Sequence, residues 1–130
     1  MKNDQLTNLG ILILRMGISG TMITHGIEKA KYVFSDGEKA FPDPIGIGPL
    51  FSLILVTSAE LLFAGLVLLG IKTRITAIPL VITMIVAIFF IHANDPWAAK
   101  ELATVYLIGF TALILTGSGK FSVDGVMKKQ

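Results

Sequence analysis

Five side chains in this sequence set a reactive group in apolar surroundings: Arg15, His25, Glu60, His92 and Glu101. Arg15 stands nine residues into an apolar run that opens at Leu6, and Glu60 ten residues into one that opens at Leu50. At 1.5 Å per helical residue both lie about 13–15 Å deep, near the middle of a bilayer. A lone charge there costs at least about 2.5–3.5 kcal/mol, whereas an arginine and a carboxylate can share two parallel hydrogen bonds and cancel. The matched depth predicts an Arg15–Glu60 pair across the first two helices. Such a pair either binds a polar ligand group or only locks the helices together.

His25 closes the first run, His92 closes the third, and Glu101 lies in the second turn of the fourth, on a stripe with Trp97, Thr104 and Thr111. Helices one and three end where helix four begins, so the two imidazoles and Glu101 share a leaflet. They could hold a metal, or donate to a quinone carbonyl while relaying a proton. Two histidines on different helices lack the HxxxH spacing of a metal site, and no metal is assigned. The expected ligand-binding set is Arg15, His25, Glu60, His92 and Glu101 around a quinone head group; the alternative is a pair of histidines seated at headgroup level. On helix one, Arg15, Ser19, Met22, Gly26 and Lys29 recur at i+3 and i+4, so this face should point inward. Gly17, Gly20 and Thr21 offer small surfaces for close packing of a neighbouring helix.

The elements that must position these groups are helices in lipid. Hydrophobic residues make up 53% of the 130-residue chain and charged ones 15%, against roughly 25% charged in a soluble domain. Mean hydropathy is +0.76. Four segments approach or reach the roughly 20 apolar residues of a membrane span: 6–27, 50–69, 75–91 and 96–116. A soluble bundle would give each helix a charged face, yet the second segment holds one charge and the third none. The fold class is therefore all-α, a single integral membrane four-helix bundle.

Between the first two spans, the connector holds Asp36-Gly37 and a run of prolines and glycines from Phe41 to Pro49, which is turn chemistry. Gly70 to Arg74 predicts a tight hairpin, and Asp95 is placed to N-cap helix four with Pro96 at its first position. The opening apolar run is longer than a signal-peptide core and shows no clear small-x-small cleavage site, so it is expected to remain as a helix. Even numbers of spans put both termini on one side. Lys2, Lys72, Arg74, Lys120, Lys128 and Lys129 fall there, against Lys29, Lys31, Lys39 and Lys100 opposite, which favours cytoplasmic termini.

A net charge of +2 with dispersed lysines offers no basic face for nucleic acid. Cysteine is absent, which excludes disulfide exchange, thiolate nucleophiles, thiolate-held iron–sulfur clusters and cysteine-containing zinc sites. Gly117-Ser118-Gly119-Lys120 is not a phosphate loop, because Phe121 stands where serine or threonine must follow the lysine. Its glycines are a helix end leading into a turn.

In order along the chain stand Arg15-x-Gly17, His25-Gly26-x-x-Lys29, Glu60, then Gly65-x-x-x-x-Gly70-x-x-Thr73-Arg74-x-x-Ala77, His92, Tyr106, and Gly117-x-Gly119-Lys120-x-Ser122-x-Asp124. This order and spacing resembles the DoxX family of small four-helix membrane proteins over nearly the whole chain. The resemblance implies an inner-membrane protein, with relatives that include the membrane subunit of a thiosulfate:quinone oxidoreductase and a partner of antioxidant enzymes. It implies no uniform activity. Where a redox role applies, it would put Arg15, Glu60 and the histidines near a quinone or a sulfur oxyanion. The leading expectation is a membrane subunit of a redox system that offers a quinone-accessible pocket to a redox partner protein carrying the cofactor. A non-enzymatic structural or small-molecule-handling protein, with Arg15 and Glu60 as helix glue, is the alternative. A transporter is weaker, since four spans without repeats offer little for alternating access unless the chain forms an oligomer.

Overall fold

Long apolar stretches broken only at glycine, proline and polar turns dictate the architecture. A computed structural model, which describes residues 2–128, contains four long helices: α1 (Lys2–Val33), α2 (Pro49–Leu69), α3 (Thr73–Ile91) and α4 (Trp97–Thr116). A fifth, short helix α5 (Val123–Met127) follows. No strand occurs among the described residues. Helix α1 packs against α2 and α4, and α3 packs against α2 and α4, so the four form an up-and-down ring. The shared core is Met22, Ala64, Val67, Ala77, Leu80, Met84, Tyr106, Phe110 and Leu113.

The outside of the ring is as apolar as the inside. In each helix only 17% to 39% of the most apolar stretch is buried, and side chains such as Ile13, Leu62, Ile82, Phe89 and Ile108 are more than half exposed. So large an unbroken apolar exterior belongs in lipid. The chain is a multi-span integral membrane protein.

The predicted hairpin forms at Gly70, left-handed at φ 74°, and Lys72 at φ 47°. Any side chain at Gly70 would run into Ser122 and approach the Arg15 guanidinium. Helix α4 ends at Gly117, as its position predicts. Its start differs from expectation. Pro96, in an extended conformation, is the N-cap and Trp97 the first helical residue. Asp95 instead accepts from His92 Nδ1 at 2.7 Å. Close helix contact also falls elsewhere than at Gly17 and Gly20, where an added Cβ would meet nothing within 4 Å. It falls at Gly26 against α2 and at Gly109 against Ile18 of α1.

Candidate functional site

The polar stripe on α1 does face inward. Arg15, Ser19, Met22 and Gly26 are its buried residues, and the stripe ends at Lys29. The predicted Arg15–Glu60 pair is not formed. Because α1 and α2 run antiparallel, Arg15 lies level with Leu68 and Glu60 with Gly26. The helical rise over the eight residues from Glu60 to Leu68 separates the two levels by about 12 Å. Equal counting from each helix's start missed this, because α1 begins earlier than its apolar run and continues beyond it. Each charge has found another partner.

Glu60 sits in a π-helical turn, Ala59–Phe63, inside α2, a local widening that often marks functional positions. Gly26 brings α1 against this turn. An added Cβ there would lie 2.8 Å from Leu61 Cδ2 and 3.2 Å from Glu60 Cβ. The close approach lets Lys29 Nζ, one turn further on, donate to both Glu60 oxygens at 3.0 and 3.1 Å. The Glu60 side chain is 4% exposed and that of Lys29 29%. Glu60 is therefore enclosed, while the lysine reaches inward from the end of the bundle opposite the Gly70 hairpin with part of its stem exposed.

His25 precedes Gly26 on the turn of α1 that meets Glu60. Its ring meets the Tyr106 ring edge-on, with centroids 5.8 Å apart and planes at 89°. Tyr106, only 4% exposed, stacks in turn on Phe110. A carboxylate, an ammonium group, an imidazole and a phenol from α1, α2 and α4 are thus gathered within the bundle. One turn below Met22, the fully buried Ser19 hydroxyl has no hydrogen-bond partner among the described residues.

His92 and Glu101 have different surroundings. His92, half-buried at the end of α3, is held by Asp95, and Glu101 is exposed on α4. Neither shares a hydrogen bond or ion pair with Glu60 among the described residues. No cluster of three or more histidine, aspartate or glutamate side chains suited to a metal occurs among those residues.

Arg15 anchors a second polar centre at the hairpin end. Its Nε donates to Leu68 O at 3.1 Å, Nη1 to Ser118 O at 2.6 Å and Nη2 to Phe121 O at 2.7 Å. The segment after α4 folds back over it. Asp124 accepts from Lys72 N at 2.7 Å and from the Ser118 hydroxyl at 2.8 Å, and Asn8 Oδ1 accepts from Lys120 N at 2.8 Å. Sequence reasoning missed α5, whose signal was Ser122 preceding Asp124. Ser122 is its N-cap and accepts from Gly125 N.

The family model described as DoxX matches residues 10–93, which include Arg15, His25, Lys29, Glu60 and His92. This chain belongs to the DoxX family. Three curated relatives match it over most of their lengths. An uncharacterized Haemophilus influenzae protein is 29% identical over 99% of this chain and 93% of its own length. An uncharacterized membrane protein of Mycobacterium tuberculosis is 28% identical, over 92% of this chain and 82% of its own. A Bacillus subtilis protein provisionally named as an oxidoreductase, CatD, is 29% identical, over 89% of this chain and 85% of its own. No solved structure matches this DoxX chain.

Proposed function

We propose that this chain is the inner-membrane subunit of a redox system, and that Glu60, held by Lys29 beside His25 and Tyr106, meets the head group of a lipid-soluble quinone. The observation that carries this reading is the enclosed carboxylate. Glu60 is almost fully buried in a membrane span and bound by Lys29, and His25, on the same turn of α1 as Gly26, lays its ring edge-on against Tyr106. An intramembrane ionisable group in such company is a functional candidate by default. The provisional oxidoreductase name of the Bacillus relative lends support.

A quinone needs donors for two carbonyl oxygens, and the His25 ring and the Tyr106 hydroxyl can donate. On reduction, two electrons would come from a partner protein's cofactor and two protons through the protein, with His25 and Glu60 as carriers at the ring. His92 and Glu101, toward the same end of the bundle, would stand at the entrance, at headgroup level. Arg15 takes a positioning part, through the hairpin. The competing reading, a structural protein, draws on the way Lys29 occupies both Glu60 oxygens, as a helix lock would.

Binding of a quinone analogue to the purified protein separates the two. The wild type should bind, and His25→Ala and Glu60→Gln should each weaken binding by about tenfold, as loss of one good polar contact does, with His92→Ala affected less. No binding by the folded wild type, or equal affinity in all four proteins, leaves the structural reading.

A further inference from the structure

We propose that the hairpin end of the bundle binds one anionic phospholipid, its phosphate held by Arg74 and Lys120 and an acyl chain lying along Phe121 and Met127. This site is independent of the quinone reading and lies at the opposite end of the helices.

Two grooves adjoin there. The first, about 660 Å³, is bounded by the start of α3, the loop after α4 and α5, and its walls carry Lys72, Arg74, Lys120 and Lys128. The second, about 530 Å³, has Lys120 at its rim and an apolar wall that includes Leu68, Phe121, Val126 and Met127. Lys120 belongs to both, so the charged groove and the apolar one share a wall.

The basic groove holds four cations against one acid, Asp124. Asp124 is already committed to Lys72 N and Ser118, and Arg15 lies close enough to oppose its charge. The ion pairs among the described residues all lie elsewhere, at Lys29–Glu60, Lys31–Glu28 and His92–Asp95. The Arg74 guanidinium rests on the loop backbone, where an added Gly117 Cβ would come within 3.1 Å of its Nε. Among the described residues it makes a single long bond, 3.4 Å to Leu115 O, which leaves most of its five N–H donors for another acceptor. Converging cations repel one another unless an anion enters among them.

What makes the anion a lipid is the second groove and its depth. Helices α2 and α4 end here, so the basic groove lies at the height of headgroup phosphates. Phe121, Val126 and Met127 are 44%, 60% and 64% exposed, an apolar surface suited to an acyl chain and not to a free ion.

Native mass spectrometry of the full chain in mild detergent tests the site, with dioctanoyl phosphatidylglycerol, dioctanoyl phosphatidylcholine and inorganic phosphate as probes. The wild type should retain the anionic lipid over the zwitterionic one. Arg74→Gln with Lys120→Gln should lower retention about thirtyfold, the change expected at about 1 kcal/mol per basic residue at a charged surface. Lys31→Gln with Lys100→Gln, at the other end, should leave it unchanged, and Val126→Gln with Met127→Gln should weaken it without altering headgroup preference. Should the double variant misfold, Lys120→Gln alone, an exposed position, is expected to give about a fivefold loss. Equal retention of the two lipids, or equal loss in the Lys31 and Lys100 control, overturns the proposal. Displacement of the lipid by inorganic phosphate at equal concentration makes this a free-oxyanion site and overturns the lipid assignment.

Discussion

Removing either partner of the Lys29–Glu60 pair should not cost the same, and the asymmetry can be worked out from exposure. Lys29→Met strands a carboxylate whose side chain is 4% exposed. Leaving such a group unpaired costs about 2.5–3.5 kcal/mol on insertion scales and about 3–5 kcal/mol for a fully buried pair. The loss has a ceiling, because at neutral pH a stranded carboxyl can take up a proton for about 3–4 kcal/mol, starting from the ordinary glutamate value. Glu60→Gln strands Lys29 instead. Its side chain is 29% exposed and four residues from the end of α1, so it can turn toward the interface, and the loss should be about 1 kcal/mol. Lys29→Met combined with Glu60→Leu removes both charges and should be more stable than Lys29→Met alone. The assay is unfolding free energy in mixed micelles for wild type, both single variants and the double. Equal losses from the two single variants would refute the exposure argument. A double variant as unstable as the sum of the singles would show that the two charges do not interact.

The remaining expectations concern the other elements. Arg15→Gln removes the charged donors to Ser118 O and Phe121 O, each worth about 1.5–3 kcal/mol, and should expose residues 117–128 to limited proteolysis while α1 to α4 stay protected. Gly125→Ala should have a similar local effect, since its Cβ would collide with Lys120 O, and amide exchange along α5 would register it. Asp43 is partly desolvated, which raises its pKa, but hydrogen bonds from the Ser52 hydroxyl and the Gly48, Ile47 and Gly46 N–H groups outweigh this and hold it below the ordinary carboxylate value. Its stabilisation is complete above the unfolded value and lost as pH falls through the lower folded value. The wild-type advantage over Asp43→Asn in a melting experiment should therefore disappear at acid pH; an advantage that persists there would rule out Asp43 as its source. Cytoplasmic termini predict that an impermeant thiol reagent on intact cells labels Ser35→Cys and spares Lys128→Cys, and the opposite pattern reverses the orientation.

Most of the fold was legible because lipid imposes one rule on every span. The apolar runs at 50–69, 75–91 and 96–116 match helices α2, α3 and α4 to within two residues at each end. Helix α1 is the exception. Its run of 6–27 sits in a 32-residue helix, since Glu28, Lys29, Ala30 and Lys31 are good helix formers that hydropathy does not count and Asp4 suits the first turn. That extra length is also why the site was only half legible. Depth counted from the first apolar residue placed Arg15 and Glu60 together, whereas the close approach of Gly26 to Leu61 and Glu60, which sets the register of α1 against α2, puts Arg15 level with Leu68 beside the hairpin. Lys29 was visible on the inward stripe but stood outside the expected span, so it was not considered as a partner for Glu60.

The two buried charges of opposite sign thus serve different ends of the bundle. Arg15 is consumed by three backbone carbonyls, and its work is to close the hairpin end under the C-terminal segment. Glu60 has a single partner on a flexible stem, a lysine whose side chain is 29% exposed and can turn toward the interface at the cost of leaving the carboxylate unpaired. A carboxylate whose counter-ion can leave is able to change partners or protonation when a ligand arrives; one locked to an arginine fork would not be. The correction to the expected pairing therefore leaves Glu60 as the group free for chemistry and Arg15 with a positioning part at the hairpin end.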